Sequence, residues 1–216
     1  MNEQKKYEFT GKIKVVFGIN FKQIRAIINF GCVVAGEIGG WIECEENLSQ
    51  SGDAWVFGNA RVSGDARVFG DAEVFGNAEV FGNARVFGNA RVFGNARVFG
   101  DAEVFGDAEV FGDAWVSGDA RVFGNAEVLG NAEVFDNAEV KKNDDYMVVG
   151  GAGRYNRFTT FFKCRDKTIK VVCGCFFGTI IEFRAKVKET HKGNKHEKVY
   201  LAMADMVELQ LDNDDK

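Results

Sequence analysis

Three identical hexapeptides follow one another in GNARVFGNARVFGNARVF, residues 82–99. They belong to a run of fifteen hexads, Gly52 to Lys141, in the frame Gly, Asp or Asn, Ala, any residue, Val, Phe. Alanine and valine keep their places in all fifteen hexads. A unit this short buries its apolar side chains only by stacking on other copies of itself. The repeat therefore restricts this part of the chain to a solenoid.

Each hexad is expected to form a very short strand followed by a corner. Alanine and valine are two residues apart, so they point to one side of a strand while the residue between them points to the other. The Phe-Gly-Asn or Phe-Gly-Asp corner bends because glycine adopts positive φ freely and Asn or Asp does so more readily than most residues. Six-residue periods are typical of a parallel β-helix. Three hexads per coil give about five coils, roughly 24 Å tall.

The variable outward position supports a three-sided coil. Read at every third hexad, it forms columns in which most charged neighbours have opposite signs, as laterally paired strands favour. The three columns are Trp55, Glu73, Arg91, Glu109 and Glu127; Arg61, Glu79, Arg97, Trp115 and Glu133; and Arg67, Arg85, Glu103, Arg121 and Glu139. Like charges also meet, at Arg67–Arg85 and at Glu109–Glu127.

The phenylalanines fall at the corners, again in columns, and are expected to point outward and stack. Two interpretations are open: the aromatic ladders stiffen the corners, or one edge is a contact surface. The edge that carries Phe81 and Phe99 is interrupted by Ser63 and Ser117, unlike the other two. Phe81 and Phe99 are therefore candidates for partner binding.

Charge and pattern divide the chain into three predicted domains. Residues 1–51 carry six acids and six bases, and their alternating segments predict a hairpin turning near Gly18, then an irregular first coil that caps the stack. Residues 52–141, the β-helix, carry fifteen acids and seven bases, a net charge of −8. Residues 142–216 carry eleven acids and fourteen bases, a net charge of +3.

The last domain, 142–216, is predicted to be a small α+β module with a hairpin and two helices. Two strands are expected around Asp166–Lys167, and Thr179 with Glu182 fits a capping box that opens the first helix. The second helix is expected from about Lys195 to Leu211. Its predicted apolar side consists of Val199, Ala202, Met203, Met206 and Leu209, and that of the first helix of Ile180, Phe183 and Val187.

Composition restricts the cellular setting. The chain shows no apolar run of the roughly 18 residues that a membrane helix needs, and MNEQKKYEFTGK has no apolar core of a secretory signal. Its five cysteines are odd in number and scattered, which favours reduced thiols. We expect a cytoplasmic protein of a bacterial host that binds no membrane, and the acidic repeat argues against direct nucleic-acid binding.

The hexads resemble the hexapeptide-repeat, left-handed β-helix superfamily, which includes acyltransferases and γ-class carbonic anhydrases. The left-handed sense is implied by this resemblance. A nearer likeness is to hexapeptide proteins of phages and prophages, some described as polymer-forming or cytoskeletal. It involves GGWIECEENLSQSGDAWV, the GNARVF run and TTFF…CGCFFGT…F…KVKETH…YLA, and so spans nearly the whole chain. That group implies no activity for this chain.

The repeat lacks the residues that the enzymes of this superfamily use for catalysis. The superfamily's enzymes use histidines on the coils, often beside an inserted loop, whereas residues 52–141 contain neither. We therefore expect no catalytic residues and no cofactor, with an acyltransferase-like enzyme as a remaining alternative. Cys164, Cys173 and Cys175 with His191 or His196 match no strong zinc spacing, so buried reduced cysteines are expected and no metal.

Two tryptophans interrupt the charged columns. Exposed tryptophans are effective binding anchors, so Trp55 and Trp115 are both candidates. The alternative for Trp55 is that it packs with Trp41 beneath the N-terminal cap. Trp115 lies in the middle of the stack, so that explanation does not extend to it.

The sequence thus predicts a non-catalytic, protein-binding β-helix. The phage likeness points to an accessory protein that engages a host protein, such as a defence nuclease whose basic channel accepts regularly spaced carboxylates. The glutamates assigned to that contact are Glu73, Glu79, Glu109 and Glu127. The structural alternative is a homo-oligomeric scaffold that assembles through its phenylalanine edges.

Overall fold

The chain is mainly β and is built around a parallel β-solenoid, as the repeat predicts. The computed structural model describes residues 5–153 and 157–211. Strands β1 (Tyr7–Val16) and β2 (Ile19–Ala26) form the expected antiparallel hairpin, with its turn at Phe17 and Gly18. Strand β3 (Ile38–Ile42) pairs with β2 and leads into the coils.

Fifteen two-residue strands, one per hexad, wind into a three-sided coil. Face 1 consists of β4 (Trp55–Val56), β7 (Glu73–Val74), β10 (Arg91–Val92), β13 (Glu109–Val110) and β16 (Glu127–Val128). Face 2 consists of β5 (Arg61–Val62), β8 (Glu79–Val80), β11 (Arg97–Val98), β14 (Trp115–Val116) and β17 (Glu133–Val134). Face 3 consists of β6 (Arg67–Val68), β9 (Arg85–Val86), β12 (Glu103–Val104), β15 (Arg121–Val122) and β18 (Glu139–Val140).

The strands of each face pair in parallel, and their register confirms the three predicted columns. Arg91, for example, lies between Glu73 and Glu109 in adjacent coils. Face 2 continues through β3 into the hairpin, which makes it an eight-stranded sheet. Trp41 pairs with Arg61, and Leu48 bridges Val68, so the lead-in forms the expected irregular first coil. The solenoid therefore has about six turns.

The interior is filled by the alanines and valines of the hexads, all of which are 0% exposed. Backbone amides donate to carbonyls one coil further on, as from Arg91 N to Ala108 O at 2.9 Å and from Phe93 N to Val110 O at 2.9 Å. Each hexad that begins with glycine turns with that residue at φ between 58° and 75°. In the last hexad Asp136 takes this place at φ 60°. The repeat thus fills its own apolar core and supplies the hydrogen-bond partners of its own backbone.

The N-terminal end of the solenoid is covered by the first strand and the lead-in. Lys6, 2% exposed, donates from Nζ to Ala54 O at 2.7 Å and to Gly52 O at 3.1 Å. Tyr7 donates from its hydroxyl to Leu48 O at 2.9 Å. Asn47, in a short 3₁₀ turn (Glu45–Asn47), donates from Nδ2 to Ala66 O at 2.9 Å. These groups satisfy carbonyls that the first coil leaves unpaired.

The C-terminal end is covered by an antiparallel sheet and two helices. The sheet contains β19 (Tyr146–Ala152), β20 (Arg157–Lys163), β21 (Ile169–Cys173) and β22 (Phe176–Thr179), and the helices are α1 (Ile180–His191) and α2 (Lys195–Leu211). The sequence predicts the strand pair around Asp166–Lys167 and both helices, whereas β19 and β22 were not predicted.

Each last strand of the solenoid meets a group from this module. On face 1, Tyr146 donates from its hydroxyl to Glu127 O at 2.8 Å. On face 2, the Glu133 amide donates to Thr160 Oγ1 at 3.1 Å. On face 3, Cys164 forms a bridge with Ala138. Both ends of the stack are therefore closed, as the need to protect unpaired edges predicts.

The helices pack on the sheet, but the predicted apolar side of α2 is wrong. In α1 the expected residues Ile180, Phe183 and Val187 are buried, and Thr179 forms the capping box with Glu182. In α2 the buried residues are Tyr200, Ala204, Val207 and Leu211, whereas the predicted Val199, Met206 and Leu209 are 42%, 44% and 76% exposed. The two sets differ by one residue in phase. The aromatic contacts of Tyr200 with Phe183 and His191 select the observed one.

Candidate protein-interaction surface

Each face carries a triplet of paired charges, and the sign of the central residue differs between the faces. On face 1 the Arg91 guanidinium lies between two glutamates, with Nε 3.2 Å from Glu73 Oε2 and Nη1 3.4 Å from Glu109 Oε1. These hydrogen bonds raise the pKa of Arg91. Faces 2 and 3 have the reverse arrangement, in which one glutamate lies between two arginines. Those triplets are Arg61–Glu79–Arg97 and Arg85–Glu103–Arg121.

Negative charge is therefore concentrated on one side of the solenoid. We define the acidic face as the face 1 column with the Asp or Asn that precedes each of its strands. It has six acids and one base, a net charge of −5; the residues are Asp53, Asp71, Glu73, Asp107, Glu109, Glu127 and Arg91. By the same count face 2 has a net charge of −1 and face 3 a net charge of −2. The acidic face holds five of the eight net negative charges of the repeat.

The structure places three of the four candidate glutamates on the acidic face. Glu73, Glu109 and Glu127 lie there, and Glu127 is exposed. Glu79 lies on face 2, where it pairs with Arg61 and with Arg97. Glu79 is therefore not part of the acidic face, and its charge is balanced by an arginine on either side.

The two candidate tryptophans are in opposite environments. Trp55 is 0% exposed, with its ring centroid 6.0 Å from that of Tyr7 and 5.3 Å from that of Phe30. Its assignment as an exposed contact is therefore wrong, because the N-terminal strands cover it. Trp115 is 43% exposed, and the guanidinium of Arg97 lies 5.4 Å from its ring centroid. The structure thus leaves Trp115 accessible on face 2.

The phenylalanine corners form the predicted ladders. Phe81 and Phe99 stack with centroids 4.9 Å apart and parallel ring planes, and Phe99 meets Trp115 edge-on at 6.3 Å. The ladder Phe69, Phe87, Phe105 and Phe123 stacks in the same way. Phe81, Phe99 and Trp115 are therefore neighbours, on the side of the solenoid that also carries Glu79.

A groove beside this cluster was not predicted. Its volume is about 590 Å³, and it lies between the tip of the β1–β2 hairpin and the corner that follows face 2. Phe17, Ile19 and Phe21 line one wall, and Ser63 and Phe81 line the other. Two sequence signals mark it: an aromatic residue where the hairpin turns, and a serine that interrupts the phenylalanine ladder.

The described titratable side chains of the C-terminal module do not converge on a metal site. Within residues 5–153 and 157–211, no group of three or more His, Cys, Asp or Glu side chains could hold a metal ion. Burial raises the pKa of the Cys164 thiol to about 11, so it stays protonated at neutral pH. His191 and His196 lie together, with ring centroids 5.7 Å apart. In the same part of the chain no helix is long and apolar enough to cross a membrane.

The coils, their register and their closed ends define a β-solenoid repeat protein. A family model described as the YdcK beta solenoid repeat matches residues 60–74. This match covers about two and a half hexads and includes one strand of each face, β5, β6 and β7. No curated protein matches the chain.

Proposed function

We propose that this β-solenoid is a non-catalytic binding protein that engages a basic surface of another protein through its acidic face. The observation that carries the proposal is the segregation of charge, since one face of three has a net charge of −5. A self-paired sheet holds these carboxylates in a fixed array, one or two coils apart within each column. Such an array steers and orients a basic partner, and it needs no ordering on binding.

The partner class follows from the same chemistry. Adjacent coils are about 4.8 Å apart, so the acids within each column of this face lie one or two coils apart. Basic surfaces that bind a chain of negative charges are found in nucleic-acid channels, where the natural ligand is a chain of phosphates. The likeness to phage-encoded hexapeptide proteins adds that the partner is a host protein, such as a defence nuclease. The acidic face would occupy the channel in place of nucleic acid.

The test compares two triple neutralisations that remove the same charge. D71N/D107N/E127Q acts on the acidic face, and D65N/D101N/D119N acts on the face 3 corner. Asn occurs at the hexad position of the five aspartates in other coils, and Glu127 is exposed at the outward position, so both variants should fold. Affinity purification of each tagged chain from its native host, with quantification of a stoichiometric partner, is the measurement.

We expect the acidic-face variant to recover at least about tenfold less partner than the wild type does, while the face 3 variant recovers as much as the wild type. Wild-type recovery should also fall as salt is raised, because exposed charges are screened. Equal retention by both variants, or recovery of the chain alone, would contradict the proposal.

A further inference from the structure

Phe17 at the hairpin tip combines an unfavourable backbone with full exposure. Its φ is +50°, in the left-handed region, and Gly18 follows at +82°. Two-residue hairpin turns with both residues at positive φ favour Asn-Gly, and a bulky aromatic at the first place is strained. Its side chain is 97% exposed, so it contributes almost no burial within this chain. The folding of one copy therefore gives no reason for a phenylalanine at position 17.

The surroundings of Phe17 are apolar and protrude. Ile13 and Val15 on β1 are 63% and 64% exposed. The segment from Lys12 to Lys22 contains three lysines and no acid. The tip is thus a convex apolar surface edged by positive charge.

The groove next to the tip has the complementary shape. It is concave and largely apolar, and it exists where Ser63 replaces the phenylalanine of most other hexads. Its charged lining is balanced, with Glu43 and Glu79 against Arg61 and Arg97. A basic tip is therefore not repelled. Glu43, whose carboxylate accepts from the Gly64 amide at 2.8 Å, is a carboxylate that an incoming lysine could approach.

We infer that a second copy of this chain occupies the groove, in a two-fold dimer in which each copy inserts Phe17 beside Phe21 and Phe81 of the other. Tip and groove are adjacent on one chain, so a single two-fold axis between them makes both contacts at once. The assembly is closed, with no further tip or groove left to extend it. The acidic face takes no part in it, so the inference does not depend on the proposed function.

A second copy fits better than a lipid surface. An anionic membrane would attract the tip, but it would repel the chain as a whole, which has a net charge of −5, with −8 on the solenoid. A membrane contact also leaves the groove beside Ser63 without an occupant. The dimer accounts for the strained Phe17, the groove and the interrupted ladder together.

The test is sedimentation equilibrium of the full chain over a concentration series, with three variants. F17N removes the ring and supplies the favoured turn residue, and F81S removes a groove wall with a residue that occurs at this hexad position in Ser63 and Ser117. F69S is the control, since Phe69 ends a ladder and stacks on one ring, as Phe81 does. We expect wild type and F69S to dimerise, and F17N and F81S to dimerise at least about tenfold more weakly.

Two further readouts make the result decisive. F17N should melt at a temperature that no longer rises with protein concentration, while keeping its fold. Mixing F17N with F81S should restore dimerisation in part, because the intact tip of the F81S chain then meets a groove that keeps Phe21 and Phe81. A wild-type chain that stays monomeric, a dimer unaffected by F17N, or a monomer that binds phosphatidylserine vesicles through Phe17 would overturn the inference.

Discussion

Tryptophan occupies the same hexad position at residues 55 and 115, and the two side chains differ only in what covers them. Trp55 is enclosed by the N-terminal strands, while Trp115 remains on the surface of face 2. We expect W55A to lower the free energy of unfolding by about 3–5 kcal/mol, the loss that large core truncations cause. W115A should change it by less than about 1 kcal/mol. Urea denaturation of both variants is the measurement, and equal losses would show that Trp55 is not part of the cap's core.

Lys6 makes the stability of the N-terminal cap depend on pH. Burial lowers the pKa of this amine to about 8, against the opposing effect of Asp53 and Asp71. Between pH 8 and 10.5 the unfolded chain therefore binds more protons than the folded chain, so stability rises with pH. Relative to K6M, the free energy of unfolding of the wild type should increase by about 3 kcal/mol across this window.

The K6M comparison isolates this amine. Burial raises the pKa of the Tyr7 hydroxyl and of the Cys164 thiol, and both groups destabilise the fold as they ionise at higher pH. These contributions are common to both proteins and cancel in the difference. A difference between wild type and K6M that stays flat from pH 8 to 10.5 would show that Lys6 is not desolvated.

At the scale of the single coil, the corner glycines are required for two separable reasons. Gly94 has φ +73°, and a Cβ there would lie 2.9 Å from the nitrogen and 3.0 Å from the oxygen of Gly112 in the next coil. Gly58 has φ +58° with nothing within 4 Å of such a Cβ. G58A should therefore lose only about 1–2 kcal/mol for the left-handed backbone. G94A should lose a further 1–3 kcal/mol, about the usual penalty for overpacking, in the same denaturation assay. Equal losses would mean that the coils separate without strain.

The elements of the C-terminal module show what a single sequence can predict. Thr179 and Glu182 mark the start of α1 because the capping box is a local interaction. The buried side of α2 is not local. Both phases of that helix offer apolar residues, and the choice depends on contacts of Tyr200 with residues on α1.

For the whole molecule, the repeat makes most of the fold predictable. Each coil contacts only its neighbours, so the 18-residue register, the charged columns and the aromatic ladders all follow from the order of residues. The burial of Trp55 and the groove at Ser63 do not. They depend on an N-terminal hairpin distant in sequence, whose side chains reach back over the first coils. The separation of charge between the faces also follows from the columns in the sequence. The predicted contact nevertheless included Glu79, which lies on face 2.

The closed ends have a consequence for how a gene of this kind can change length. Where neighbouring hexads are encoded by near-identical stretches of DNA, replication slippage adds or removes copies. The loss of a single internal hexad would rotate the C-terminal module by a third of a turn relative to the N-terminal hairpin, and it would bring outward residues of different faces into one column. A change of eighteen codons leaves both caps in phase, and residues 82–99 are one such unit. Natural length variants of this solenoid should therefore differ by whole coils.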